Sequence, residues 1–217
     1  MRKRTFVGVL VFWLVCLLLP LVLATPSVHA AAKAQLVVHA RGNGPHCVMK
    51  IAPIKPGQAS SDILSASCYK TVSQAAFAAT DGRLRLPANA TLQDEARAYK
   101  LLEKASPNAV NLISIWYQDI GYGGNSLRIT TTGPQCSSSI SYGNAVMPTV
   151  NGFNWNNQLS SIDGGYYNCQ WIRIWDNPYY GGTNLCINFG TSYVGDAMND
   201  RTSSIYWRQS GPDPCQS

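Results

Sequence analysis

Past its first 31 residues the chain has only two histidines, His39 and His46, and two glutamates, Glu95 and Glu103. From residue 110 onward it has no histidine, no glutamate and no lysine. Acid–base chemistry in that half would have to rest on aspartate alone. No G-x-S-x-G or H-E-x-x-H stretch is present either. No two cysteines are spaced C-x-x-C, so with so few histidines a zinc ligand set is missing. These absences point to a protein that is not an enzyme, with no catalytic residues and no organic cofactor.

Strong net charge is lacking too. The formal charge is +6, but Arg2, Lys3 and Arg4 supply three of the basic groups and the remainder carries +3. That is too little for a nucleic-acid partner. The distribution is uneven: residues 33–109 hold ten Lys or Arg against five acids, and residues 110–217 hold four Arg against six Asp. This shift places an expected boundary near Pro107, dividing a segment 32–106 from a domain 107–217.

The N-terminus reads as an export signal. MRKR, the apolar run FVGVLVFWLVCLLLPLVLA and the small residues SVHAAA make a three-part signal peptide over 1–31, cleaved after Ala30 or Ala31. The alternative is a retained anchor, because Phe6 to Ala24 is nearly long enough to span a bilayer. Pro20 and the A-x-A-like ending favour cleavage, which makes the product secreted, extracellular and free of the membrane. With Cys16 in the signal, six cysteines remain, and an even count in an oxidising compartment implies disulfides. Two fall before the boundary and four after it, which pairs Cys47 with Cys68. For the other four we expect Cys169–Cys186 and Cys136–Cys215, a pairing that spacing does not dictate.

Residues 32–106 read as a small α+β segment. AQLVVHA and HCVMKIAPI, separated by RGNGP, suggest a hairpin over 36–54. Thr71 three residues before Gln74, and Thr91 three before Asp94, are helix-start signatures for two short helices. Asn89-Ala90-Thr91 fits a glycosylation sequon, a pattern that often arises by chance. The segment is a small module, a pro-segment or a cap on the domain C-terminal to it.

The second half repeats itself. ISIWYQDIGYGGNSLRI, 113–129, aligns without gaps on WIRIWDNPYYGGTNLCI, 171–187, with Tyr117 set on Trp175. Tyr117, Tyr122 and Gly124 fall on Trp175, Tyr180 and Gly182, marking a glycine corner where aromatics five apart can pack. NNQLSSI, 156–162, then matches NDRTSSI, 199–205. The hairpins lie 58 residues apart and the Ser-Ser-Ile stretches 43, so the first repeat is fifteen residues longer, around TTGPQCSSSISYGNA. About four strands per repeat give a mainly β, two-repeat Greek-key sandwich preceded by the small α+β segment.

These paired motifs resemble those of microbial βγ-crystallin domains, over roughly residues 110–210. The resemblance implies calcium sites built on Asn/Asp-Asn/Asp-x-x-Ser-Ser. It assigns ligand roles to Asn157, Ser160, Asp200 and Ser203, with Gln118 and Asp176 adding oxygens from the hairpins. Asn156 and Asn199 would brace the turns. It further implies that the Asn/Asp and Ser of one repeat share an ion with the hairpin of the other. Each of two sites would then hold about one carboxylate. So few charges predict weak binding, on the order of 10⁻⁴ M or poorer.

Competing readings stay open. The motifs can serve as turns with no metal, Asn capping backbone N–H groups and Ser tying the strand start. Trp116, Tyr117, Tyr166, Tyr167, Trp171, Trp175, Tyr179 and Tyr180 can form a carbohydrate-binding face or simply a core. A secreted inhibitor of metalloproteinases or other extracellular proteases, acting through the inserted loop, is the alternative to a calcium-stabilised module.

Overall fold

A computed structural model describes residues 36–38, 42, 44–106, 111–209 and 211. The expected signal peptide, the Pro107 boundary and Cys215 lie outside those residues. No helix among the described residues is long and apolar enough to cross a membrane.

Three strands come first, β1 (Leu36–Val38), β2 (His46–Ile51) and β3 (Ile63–Tyr69), then helices α1 (Val72–Ala79) and α2 (Leu92–Ala105). The first repeat begins with β4 (Leu112–Asp119), β5 (Gly123–Thr131) and β6 (Tyr142–Asn144). An inserted pair, β7 (Pro148–Val150) and β8 (Phe153–Asn154), precedes its last strand, β9 (Ser161–Gly164). The second repeat supplies β10 (Trp171–Asn177), β11 (Gly181–Asn188), β12 (Gly190–Thr191) and β13 (Ser204–Arg208). Four strands per repeat agree with the sequence.

The two larger sheets run β12-β9-β4-β5-β2-β3 and β11-β10-β13-β6, and a small third runs β1-β7-β8. Each repeat lends its third strand to the other's sheet, β6 pairing with β13 and β12 with β9. Neither repeat can complete its sheet alone. Between the sheets lies a core in which Trp116 stacks on Trp207, centroids 5.8 Å apart and planes 14° off parallel, with Trp155 edge-on to Trp116 at 5.9 Å. Each such ring pair adds about 1 kcal/mol beyond its buried area.

The N-terminal segment departs from expectation in two ways. The hairpin forms between β2 and β3, not between β1 and β2; β1 pairs instead with inserted strand β7. The turn before β2 lies against the end of β3, so closely that a Cβ on Gly44 would sit 1.6 Å from the Tyr69 carbonyl oxygen. Nor is the segment a body apart, since Lys33–Ser217 form one compact unit. Strand β2 runs parallel to β5 over six residue pairs. The helices cover the outer face of that sheet through a second apolar cluster containing Val72, Ala75, Leu92, Tyr99, Ile115, Tyr117 and Tyr166. Both helices start as the sequence says, Thr71 accepting from Gln74 N–H and Thr91 and Asp94 forming a reciprocal capping box.

Beneath α2 lies a buried ion pair. Arg128 of β5 and Glu95 of α2 are both fully buried, joined by a 2.7 Å bond from Nε to Oε1 and a second from Nη2 to Oε2. Arg128 also donates to Ser126 Oγ at 2.8 Å, and that oxygen lies 2.8 Å from His46 Nδ1. Burial, aided by Arg128, lowers the His46 pKa to about 4. At the far end of α2, Lys100 lies 3.4 Å from the buried Asp163 carboxylate, which accepts the Tyr166 hydroxyl at 2.6 Å.

Cys47–Cys68 forms as expected, but Cys136 bonds to Cys169, correcting the expected Cys169–Cys186 and Cys136–Cys215 pairs. The inserted loop lies against the link between repeats, where Cys136 N–H donates to the Tyr167 carbonyl and Asn168 Nδ2 to the Cys136 carbonyl. Cys186 is disulfide-bonded as well. The extra length of repeat one is divided. Residues 132–141 separate β5 from β6, where residue 189 alone separates β11 from β12, and the β7–β8 pair takes up the rest.

Candidate metal centre

The folded hairpins have matching geometry. Tyr117 meets Tyr122 at 5.3 Å and 64°, and Trp175 meets Tyr180 at 5.1 Å and 60°. The tyrosine at each corner is left-handed, φ +65° at Tyr122 and +61° at Tyr180. Gly124 and Gly182 adopt +74° and +78°. A Cβ on Gly182 would lie 2.1 Å from Asp176 Oδ1, so the positive φ favours glycine there and a methyl group would have to displace the Asp176 carboxylate.

The two serines of each Ser-Ser pair do different things. Ser161 donates to the Asp119 carbonyl at 2.6 Å and accepts from Tyr122 N–H at 3.0 Å. Ser204 repeats this in the second repeat, donating to the Asn177 carbonyl at 2.7 Å and accepting from Tyr180 N–H at 3.1 Å. The second serine therefore locks its own hairpin. The first serine faces the other repeat: Ser160 Oγ lies 3.4 Å from Asp200 Oδ1, and Ser203 Oγ lies 3.2 Å from Asn157 Oδ1. Asn157 and Asp200 reach across because both turn through left-handed backbone, φ +60° and +53°. Their N–H groups bond across the repeats too, Asn157 to the Thr202 carbonyl and Asp200 to the Leu159 carbonyl.

This corrects the expected grouping. Ser160 N–H bonds to the Tyr117 carbonyl and Ser203 N–H to the Trp175 carbonyl, so each first serine stays beside its own hairpin. What crosses between repeats is the second Asn/Asp. Ser160 thus pairs with Asp200 and Ser203 with Asn157; Gln118 and Asp176 follow in sequence the hairpin residues Tyr117 and Trp175 that hold those serines, which groups Gln118 with the first set and Asp176 with the second. NNQLSS and NDRTSS are not separate clamps, since each gives an Asn or Asp to one contact and a serine to the other. Each serves both sets. Asn199 does brace its turn, Nδ2 bonding Asp200 Oδ2 at 3.0 Å, while Asn156 contributes its N–H to Asn154 Oδ1.

The donors are hydroxyl, amide and carboxylate oxygens, which suit a hard cation such as calcium. In the second set Asp176 Oδ1 is buried without a hydrogen-bond partner, an oxygen that a cation would satisfy. Its other oxygen accepts from Arg201 Nη2 at 3.1 Å. Sequence reasoning missed Arg201, although it stands inside NDRTSS; only the fold brings its guanidinium to Asp176, 25 residues away. Among the described residues no three His, Cys, Asp or Glu side chains gather as a metal cluster.

The aromatic residues divide between environments. Trp116, Tyr117 and Tyr166 are buried, whereas Trp171, Trp175 and Tyr180 are half-buried and Tyr179 is exposed.

A strand-exchanged pair of Greek keys with reciprocal Asn/Asp-to-Ser contacts defines a βγ-crystallin-like architecture. No family model matches the chain, and no curated protein matches it. Solved structures do. A βγ-crystallin domain from Clostridium beijerinckii is similar at 20% identity, covering 45% of this chain and 99% of that one, with a TM-score of 0.32. One from Flavobacterium johnsoniae is similar at 22%, covering 46% and 99%, TM-score 0.32. A third, from an archaeon, gives 22%, 46% and 98%, also with 0.32.

Proposed function

We propose that the two-repeat region is a secreted, non-enzymatic module that binds two calcium ions weakly, and that this binding stabilises the fold. The observation that carries the reading is the reciprocal crossing: Asp200 to Ser160, Asn157 to Ser203, with Asp176 Oδ1 left without a partner. Gln118, Ser160 and Asp200 would hold one ion and Asp176, Ser203 and Asn157 the other. A bound cation would supply positive charge between oxygens of both repeats. The residues would then tie β4 and β9 to β10 and β13, because every set draws on both halves. Export is supported by the N-terminal sequence.

Ligand that binds only the folded state adds about 2.7 kcal/mol per site at a hundredfold excess over Kd. Thermal melts in calcium and in chelator, with calorimetric titration, test this. A rise in Tm with calcium, diminished in Ser160→Arg and in Ser203→Arg, is expected; identical melts in calcium and chelator would sink the reading.

The alternative, inhibition of an extracellular protease, is supported by the loop 132–141, pinned by Cys136–Cys169 with Ser138 and Ser139 exposed at its tip. Screening against secreted metallo- and serine proteases separates the two, because a calcium module leaves them all active.

A further inference from the structure

The outer faces of the two sheets are treated differently. On β4 every residue from Leu112 to Tyr117 is buried, because α1 and α2 cover that sheet. On β10, the matching strand, burial alternates: Ile172 and Ile174 enter the core, while Trp171, Arg173 and Trp175 face outward and stay partly exposed. The register sets Tyr206 beside Arg173 and Arg208 beside Trp171 on β13, and Asn184, Cys186 and Asn188 beside the same row on β11. Arg173 lies over the Trp175 ring at 5.6 Å and bonds Asn184 Oδ1 at 2.9 Å. None of these outward side chains is acidic.

At the C-terminal end of β13 this face meets the inserted loop that leads into β6. A groove of about 540 Å³ is lined by Ser137 to Ser141, Tyr206, Arg208, Gln209 and Gly211. It offers an exposed guanidinium, a tyrosine ring braced edge-on by Tyr180 at 5.9 Å, a row of hydroxyls and one amide. Ring faces pack against the C–H faces of sugars, hydroxyls and amides match sugar hydroxyls, and a guanidinium takes a carboxylate in a forked bond.

We propose that this groove and the adjoining row of Trp171, Arg173 and Trp175 bind an acidic polysaccharide, with Arg208 holding a uronate carboxylate and Tyr206 stacking on the ring. Charge selects the ligand. Two arginines with no carboxylate between them among the described residues favour a polyanion, and the hydroxyl row favours a polyhydroxylated one. The inserted loop, which calcium binding leaves unused, gains a role as the groove's wall.

Affinity electrophoresis of the protein in chelator, through gels containing polygalacturonate, alginate or neutral dextran, tests the proposal independently of calcium. Retardation by the two uronate polymers at 0.15 M salt and none by dextran is expected. Arg208→Glu should weaken it by about ten-fold or more, while Arg208→Lys keeps part of it and Lys70→Glu, the same charge change on an exposed residue outside this face, leaves it intact. Absence of retardation, equal retardation by polyglutamate, or equal losses from Arg208→Glu and Lys70→Glu would overturn it.

Discussion

Gly182 stands at φ +78° with no room for a methyl group beside Asp176, so Gly182→Ala should cost about 2 kcal/mol or more. Its Tm should fall clearly below that of Gly121→Ala, where φ is +74° but the space is open, which separates crowding from strain. Arg201 has a different effect, because its guanidinium holds one oxygen of the carboxylate proposed to bind calcium. Removing that competing cation in Arg201→Ala should tighten calcium binding at the Asp176 set by several-fold, and calorimetric titration reads the change directly. Unchanged or weaker binding would show that the ion pair organises the set instead of blocking it. Glu95 is a third case. Glu95→Ala leaves a fully buried guanidinium unpaired and should cost about 3–5 kcal/mol, whereas Glu95→Leu combined with Arg128→Met should recover much of that.

At the scale of elements, β2 and α2 are what the repeats lean on. His46 sits at the seam between β2 and β5, and its folded pKa lies below the ordinary value of 6.5 because burial, then Arg128, disfavours the imidazolium. A depressed folded pKa means that the associated stability is complete above about 6.5 and is lost as pH falls toward 4. The Tm of the wild type should therefore drop over that window, and His46→Gln should flatten that part of the profile. The segment's helices were legible: Thr71 and Thr91 announced their starts. Its hairpin was not, because two apolar runs flanking a Gly-rich turn say nothing about a competing edge such as β3. The helical roof left little signal in the sequence: LISIWY in β4 and WIRIWD in β10 both carry a polar residue third, and it is burial, continuous in β4 and alternating in β10, that separates a strand covered on both faces from one covered on a single face.

For the whole molecule, strand exchange and the added layer join the described residues into one compact unit. A protein beginning at residue 107 would lack the partner of Arg128, the strand beside β5 and the roof over Tyr117. It should show no cooperative melt as a monomer, with or without calcium, whereas the complete chain melts in one transition. A sharp transition from the truncated chain in differential scanning calorimetry would mean that residues 33–106 are an independent cap after all.

The repeat, the residues that form its corners and those of the twin motifs can be read from the amino-acid order alone. Those are local, set by which side chains pack five residues apart and which positions tolerate positive φ. Tertiary structure decided who stands next to whom. That Ser160 meets Asp200, that Arg201 meets Asp176, that Cys136 bonds Cys169 and that α2 neutralises Arg128 are all contacts between residues 25 or more positions apart in the chain. A linear pattern carries no term for contacts that form only when two sheets close on each other.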